Sequence, residues 1–311
     1  MGRRSVRVLV VTAAAACYLS FGAPVPAAGQ GHSITGGLTS HTVISGETLA
    51  TIGSRVGVDP ATLASENGLR PNARLAPGQV LQIDNRHVVP PDLARGLIIV
   101  NVPQRMLFFD DDGAVMALPV AVGKSTWRTP LGPFRIVKVE ADPSWDVPAS
   151  IQAEARARGR SLPSVVPPGP DNPLGKYWLG LSLGDVGIHG TNAPSSIYRV
   201  TTHGCIRVHP DDIATLFPRV SLQTTGRVVY EPVLLAAAGQ QVFVEAHRDV
   251  YGKVPDARAT VQRLADEAGV ADRIDWTAVD AVLASRAGVA RDVTRKNPHL
   301  PDTLPQRLPS H

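Results

Sequence analysis

Cysteine is almost missing from this chain: Cys17 and Cys205 are the two in 311 residues. That excludes a disulfide-stapled scaffold, which needs larger even sets. Aromatic residues are scarce as well, at 5%. Past the N-terminus no run is long and apolar enough to cross a membrane. Charge of one sign is not in excess either. The net charge of +4 comes from 31 basic against 27 acidic residues, and Arg3, Arg4 and Arg7 crowd the first positions. Without those three the chain is close to neutral, so no nucleic-acid partner is implied. What is there is an ordinary mix, 43% hydrophobic, and long enough for two or three units with real cores.

Residues 1–27 read as a secretory signal peptide. The arginines form its positive end. An apolar stretch from Val8 to Tyr18 is too short to span a bilayer, and Val25-Pro26-Ala27 supplies small residues for cleavage. Two other readings stay open. One is a lipoprotein site at Cys17, disfavoured because apolar residues continue to Phe21; the other is an uncleaved anchor. Export with cleavage leaves Cys205 without an internal partner. An odd thiol in an exported protein is either reactive or a target of oxidation.

A Gly/Ser/Thr-rich lead-in at 30–40 is expected to be flexible. Residues 41–85 then run strand, helix, helix, strand. Thr42-Val43-Ile44 and Val80-Leu81-Gln82-Ile83 read as strands. Leu49 and Ile52 have helical spacing within 48–55, and Asp59-Pro60 opens a second helix with Asp as N-cap. Pro90-Pro91 makes 85–95 a stiff linker. From 96 to 231 the chain is strand-like: 97–101, 106–109, 114–122, an alternating run at 134–139, then 177–183 and 186–189. Helices there are few, one at 151–158 and a brief one opening at His209-Pro210-Asp211-Asp212. Residues 163–173, with five prolines, form an irregular loop. Residues 232–311 are a C-terminal extension. A strand at 227–235 leads into it, followed by a strand at 241–247, helices at 257–268 and 276–286, and a disordered tail from Asn297. The expected fold is multidomain: a small α+β (βααβ) unit, then a mainly-β, sandwich-like domain with a few helices.

His189 ends a strand. The chain then crosses a turn-rich loop and returns through Thr202-His203-Gly204-Cys205. Such a loop brings two strand ends side by side, so His189 and Cys205 can meet. A thiol with a pKa of roughly 8.5 is mostly protonated near neutrality, and an adjacent imidazole takes its proton. Gly204 permits a sharp turn that offers backbone N–H groups to an oxyanion. Other readings compete. A lone cysteine is often simply buried. His203, Cys205, His209 and His189 are permissible zinc ligands, although alternate positions on a tight turn point to opposite sides. Arg207 favours a thiolate, grips a carboxylate, or makes a surface ion pair. Tyr198 and Trp145 are candidate groove walls or core residues.

The block at 41–85 resembles a LysM domain, through Val43, Gly46, Glu47, Thr48, Leu49, Ile52, Val58, Leu63, Asn67, Leu69, Leu75, Gly78, Val80, Leu81 and Ile83. The resemblance implies binding to N-acetylglucosamine-containing glycans such as peptidoglycan. The matched residues are mostly core and turn positions, so a spacer of the same shape without sugar affinity stays the alternative. As a separable anchor, its deletion is expected to weaken sacculus binding and spare turnover of soluble peptides.

Residues 96–231 resemble the YkuD-type L,D-transpeptidase catalytic domain. The likeness rests on His189-Gly190-Thr191 and Thr202-His203-Gly204-Cys205, with Thr129-Pro130-Leu131-Gly132-Pro133-Phe134, Asp142-Pro143-Ser144-Trp145, the 167–175 segment and Ile206-Arg207. It implies that Cys205 attacks the third-residue carbonyl of a tetrapeptide stem. D-Ala leaves, and an amine resolves the thioester. His189 is then the general base, His203 orients the site, and the N–H groups of His203, Gly204 and Cys205 hold the oxyanion. Gly190, Thr202, Arg207, Tyr198 and Trp145 are the implied substrate-binding set. Many family members carry Asn where this chain has Arg207. No metal or organic cofactor is implied. The implied partner is peptidoglycan in the periplasm or cell envelope. The acceptor stays open: a second stem, a lysine of an envelope lipoprotein, a D-amino acid, or water.

Overall fold

Local caps start the first module. Thr48 accepts the Thr51 N–H at 3.1 Å, and Thr51 Oγ1 accepts the Thr48 N–H at 2.8 Å. This is a capping box closed by threonine where glutamate is usual. A computed structural model of the protein describes residues 34–296. The expected signal segment, Cys17 and the Pro-rich tail lie outside the described residues. Strand β1 (Leu38–Thr42) is followed by helices α1 (Leu49–Val56) and α2 (Pro60–Glu66), and strand β2 (Val80–Asp84) pairs antiparallel with β1. The strand–helix–helix–strand order holds, with the first strand earlier than its apolar run suggested. The lead-in is not loose where it is described. Ile34–Thr35 pairs with His87–Val88, inside the segment expected to be a linker.

The next strands alternate because each has one face in a core. They are β3 (Ile98–Asn101), β4 (Met106–Asp111), β5 (Ala114–Gly123), β6 (Gly132–Ala141), β7 (Tyr177–Leu181), β8 (Gly187–His189), β9 (Val200–Thr202), β10 (Ile206–Val208) and β11 (Thr225–Val229). Their sheet order is β9-β5-β10-β8-β7-β6-β11-β3-β4, and β4 pairs again with β5. The sheet therefore closes on itself. The expectation of a mainly-β domain holds, and its sandwich-like outline becomes a barrel with β9 appended on β5. Ile98, Val100, Leu107, Val120, Ile136, Leu179, Ile188, Ile206 and Val208 fill the interior, each 0% exposed. Helix α3 (Ala149–Ala157) lies in the β6–β7 connection and α4 (Pro210–Leu216) follows β10.

The C-terminal extension forms a three-stranded sheet, β12 (Val233–Ala238), β13 (Gln241–Ala246) and β14 (Arg291–Asp292), with α5 (Ala257–Glu267) and α6 (Trp276–Ser285). The single strand expected at 227–235 is broken into β11 and β12. The extension has its own core around Val242, Val261 and Val279, and it also reaches into both other units. Val289 is buried in the core of the first module with Leu49, Ile52 and Leu63. Tyr251 is buried in the barrel cluster.

A buried carboxylate joins all three. Glu245 is 0% exposed. It faces His87 Nδ1 at 2.8 Å and His247 Nε2 at 2.7 Å, and accepts from the Val88 N–H at 2.6 Å and Gln104 Nε2 at 3.1 Å. His87 Nε2 lies 3.0 Å from the Gly57 carbonyl. Burial raises the Glu245 pKa, but His87 and His247 outweigh it and bring it to about 2. A buried anion survives when it is paired and fully hydrogen-bonded in this way.

Candidate active site

Strands β8 and β10 run parallel, with Ile188 opposite Ile206 and His189 opposite Arg207. Ile188, Ile206 and Val208 point into the barrel core. By strand alternation Gly187, His189, Cys205 and Arg207 then share the outer face. The next strand adds Trp178, opposite His189 on β7. Its ring stacks on the imidazole, centroids 5.7 Å apart and planes 25° from parallel. Only glycine fits at 187, because a Cβ there would lie 2.5 Å from the Trp178 ring.

His189 is 4% exposed. Its Nδ1 lies 2.6 Å from the Gly190 carbonyl, an acceptor, so Nδ1 carries the proton and Nε2 keeps its lone pair. Burial, then the Arg207 cation, lowers the imidazole pKa to about 4. The half-buried Cys205 thiol is pushed up by burial, while the Gly187 N–H and Arg207 pull it back. Thiol and imidazole are thus both neutral at rest, with a guanidinium beside them. Arg207 is half-buried, and Nη1 donates to Ser196 Oγ at 2.7 Å. Its Nε is buried without a partner among the described residues.

The other motif residues divide their work. Gly204 turns the chain at φ +110. Its N–H donates to Thr202 Oγ1 at 3.2 Å, and that hydroxyl donates to the Cys205 carbonyl at 2.6 Å. In this resting geometry the Gly204 N–H, expected to face an oxyanion, is taken by Thr202. His203 turns toward Glu154 of α3, with Nε2 2.5 Å from Oε2. Glu154 Oε1 accepts from Lys124 at 3.1 Å and Arg158 at 2.6 Å. Its pKa falls to about 2, through His203 first and Lys124 second. Trp127 meets the His203 ring edge-on at 5.2 Å.

Three residues expected to contact substrate have these surroundings. Tyr198 is 3% exposed and packs with Val89, Met106 and Phe108, so it is a core residue and no groove wall. Trp145 lies on the short strand Trp145–Asp146, paired with Val165–Val166, and the ring stacked on His189 is that of Trp178. Gly190 holds the His189 ring through its carbonyl, and its N–H donates to the Tyr177 carbonyl at 3.1 Å. Sequence reading missed Trp178, Glu154, Ser196 and Tyr251. Trp178 lies in a run read as strand, where alternation opposite His189 marks it as outward. The Tyr251 hydroxyl donates to the Gly123 carbonyl at 2.7 Å and accepts the Thr129 N–H at 3.1 Å. It thereby pins the segment that carries Lys124 and Trp127, and nothing local announces that contact. A groove of about 530 Å³ bordered by Phe134, Arg135, Val137 and Gln223 is lined by neither His189 nor any residue of the 202–207 turn.

Residues 95–234 match the model of the YkuD L,D-transpeptidase catalytic domain, and residues 41–84 match that of the LysM domain. The probable L,D-transpeptidase YcfS of Escherichia coli (strain K12) is 31% identical over 299 residues, which cover 90% of each chain. The probable L,D-transpeptidase YbiS of the same strain is 36% identical over 159 residues, 50% of this chain and 51% of that one. The match to YbiS therefore spans about half of that protein's length. The probable L,D-transpeptidase ErfK/SrfK of Salmonella typhimurium is 31% identical over 229 residues, 69% of this chain and 72% of its own.

Proposed function

The chain belongs to the L,D-transpeptidase family, and from that premise we propose that it is an exported, cysteine-dependent acyltransferase of peptidoglycan. The observation that carries the reading is the shared outer face of β8 and β10. There the Cys205 thiol and the Nε2 lone pair of His189 stand at diagonal positions, about 8 Å apart at Cα by strand geometry.

A tetrapeptide stem enters with the carbonyl of its third residue over Cys205. As Sγ attacks, Nε2 of His189 takes the thiol proton, and Arg207 steadies the sulfur's developing charge. The tetrahedral intermediate collapses when the imidazolium returns that proton to the departing D-Ala amine. A thioester on Cys205 remains. An acceptor amine then attacks it, gives its proton to Nε2, and frees the thiolate, which is reprotonated from His189. A low imidazole pKa keeps the base unprotonated at neutral pH but makes it weak toward the thiol, so the proton moves as the sulfur–carbon bond forms. His203, tied to Glu154, sets the turn that presents Cys205.

In this reading residues 1–27 direct export and the enzyme works in the cell envelope. Residues 41–85 anchor it on glycan strands, 96–231 carry the chemistry, and the described part of the extension, 232–296, braces both. The acceptor is the amine of a second stem, of an envelope lipoprotein lysine, or of a D-amino acid, and water gives the hydrolytic outcome. The test is incubation with purified tetrapeptide muropeptides, followed by mass spectrometry for free D-Ala and for an adduct on Cys205. Cys205→Ala should give neither product while keeping the wild-type unfolding midpoint. D-Ala release by that variant, or none by the wild type, overturns the reading.

A further inference from the structure

The loop between His189 and Cys205 is gripped by residues outside the catalytic motif. Its 194–196 turn packs against α1 of the LysM module. Ser196 in that turn spends its own proton on the Ala193 carbonyl at 2.6 Å and accepts Nη1 of Arg207 at 2.7 Å. The turn therefore orients the guanidinium that stands beside Cys205 and His189.

Two residues further on, Tyr198 holds φ +60, a left-handed conformation unusual for a bulky residue. Arg105 keeps it there. Its Nη1 donates to the Tyr198 carbonyl at 3.1 Å, and its guanidinium lies 4.0 Å from the ring centroid. Arg105 is fixed in turn by a two-pronged ion pair to Asp59 at the head of α2, at 2.9 and 2.8 Å. Arg55 of α1 also reaches His209 Nδ1 at 2.8 Å and Asp212 at 3.1 Å, at the start of α4 directly after β10. These ties run from the LysM module to the two segments that flank the catalytic strands. A sugar anchor on a loose tether would need none of them.

We propose that the LysM module is a positioning part of the catalytic apparatus as well as a glycan anchor: through Asp59, Arg105 and the turn holding Ser196, it sets the 190–199 loop and with it the Arg207 guanidinium beside Cys205. The inference rests on the reading of Cys205 as nucleophile. Asp59 and Ser196 are positioning residues, since neither touches the reacting atoms. The expectation that the module is separable from turnover on soluble peptides is replaced by its opposite.

The test uses the full-length chain and a soluble tetrapeptide without sugar, so anchoring plays no part. Acylation of Cys205 is timed by mass spectrometry in wild type, Ser196→Ala, Ser196→Thr and Asp59→Asn, with near-ultraviolet circular dichroism to confirm the fold. Ser196→Ala and Asp59→Asn should lose roughly 10- to 100-fold in kcat/KM, mainly in kcat, as expected for a displaced site group. Ser196→Thr, which keeps the hydroxyl, should restore the rate. The charged groups that reach the pair are Arg207 and, for the thiol, Asp185. Release of Arg207 should therefore also move the acid limb of the rate profile to higher pH. Wild-type rates in folded Ser196→Ala and Asp59→Asn, or a loss that threonine does not rescue, overturn the proposal and leave the reading of Cys205 standing. An inert wild type removes the reading of Cys205, and the proposal with it.

Discussion

Acidification from pH 7 to pH 5 measures how far His189 is withdrawn from water. Burial, with Arg207 adding to it, takes the ring from 6.5 to about 4. That fall corresponds to about 3 kcal/mol at 1.36 kcal/mol per pH unit. The sign follows from proton counting. Below 6.5 the unfolded chain binds a proton that the folded ring refuses until about pH 4. The His189 contribution is therefore complete above 6.5 and is lost as pH falls through that window. Between pH 7 and pH 5 the loss from this one ring is about 2 kcal/mol. Urea unfolding of wild type and His189→Gln at both pH values isolates it, because other titrating groups are common to the two proteins. The wild type should lose about 2 kcal/mol more than the variant. In parallel, Cys205 acylation should stay nearly flat from pH 7 to pH 5, with its acid limb near 4. Equal losses in the two proteins, together with a limb at 6.5, would refute the reasoning: the ring would then be hydrated and chargeable like an ordinary surface histidine.

Two further outcomes follow from buried polar contacts. Tyr251→Phe strips the partner from the buried Gly123 carbonyl and Thr129 N–H; about 1–3 kcal/mol should be lost, a fall of several degrees in Tm by calorimetry, and an unchanged Tm rejects the contact. Glu245→Gln removes the anion that the Val88 N–H, Gln104, His87 and His247 surround; hydrogen bonds to a charged group contribute about 1.5–3 kcal/mol, so a loss of that order is expected, and a loss well under 1 kcal/mol in urea unfolding would show that the carboxylate is not ionised in the fold.

Much of the fold was legible because it is local. The helices read at 257–268 and 276–286 appear as Ala257–Glu267 and Trp276–Ser285, since caps and 3.6-residue spacing lie within one turn of each other. The alternating run at 134–139 sits inside Gly132–Ala141. That the strand ending at His189 lies beside the one that follows Cys205 was readable, because a single turn-rich loop joins them. Closure of the barrel was not, because it depends on the long-range pairings of β5 with β10 and of β3 with β11, which leave no period in the chain. The supposed linker hid His87, whose partner Glu245 lies 158 positions away. A hydrophobic count cannot see such a contact. Tyr198 was ambiguous for the same reason: an aromatic between two motif halves reads as wall or core until Arg105 is placed over it.

The burial of Val289 among Leu49, Ile52 and Leu63 reverses the order in which the protein can be finished. The ribosome makes the LysM segment first, yet one piece of its interior is synthesised more than two hundred residues later. Until residue 289 emerges, the nascent LysM segment has a gap in its interior, and its final packing waits on the end of the chain. Contacts of such long range slow folding and lengthen the exposure of unfinished surface. A premature stop before residue 289 therefore damages the opposite end of the molecule, and the same segment grafted alone onto another enzyme arrives without its last core residue.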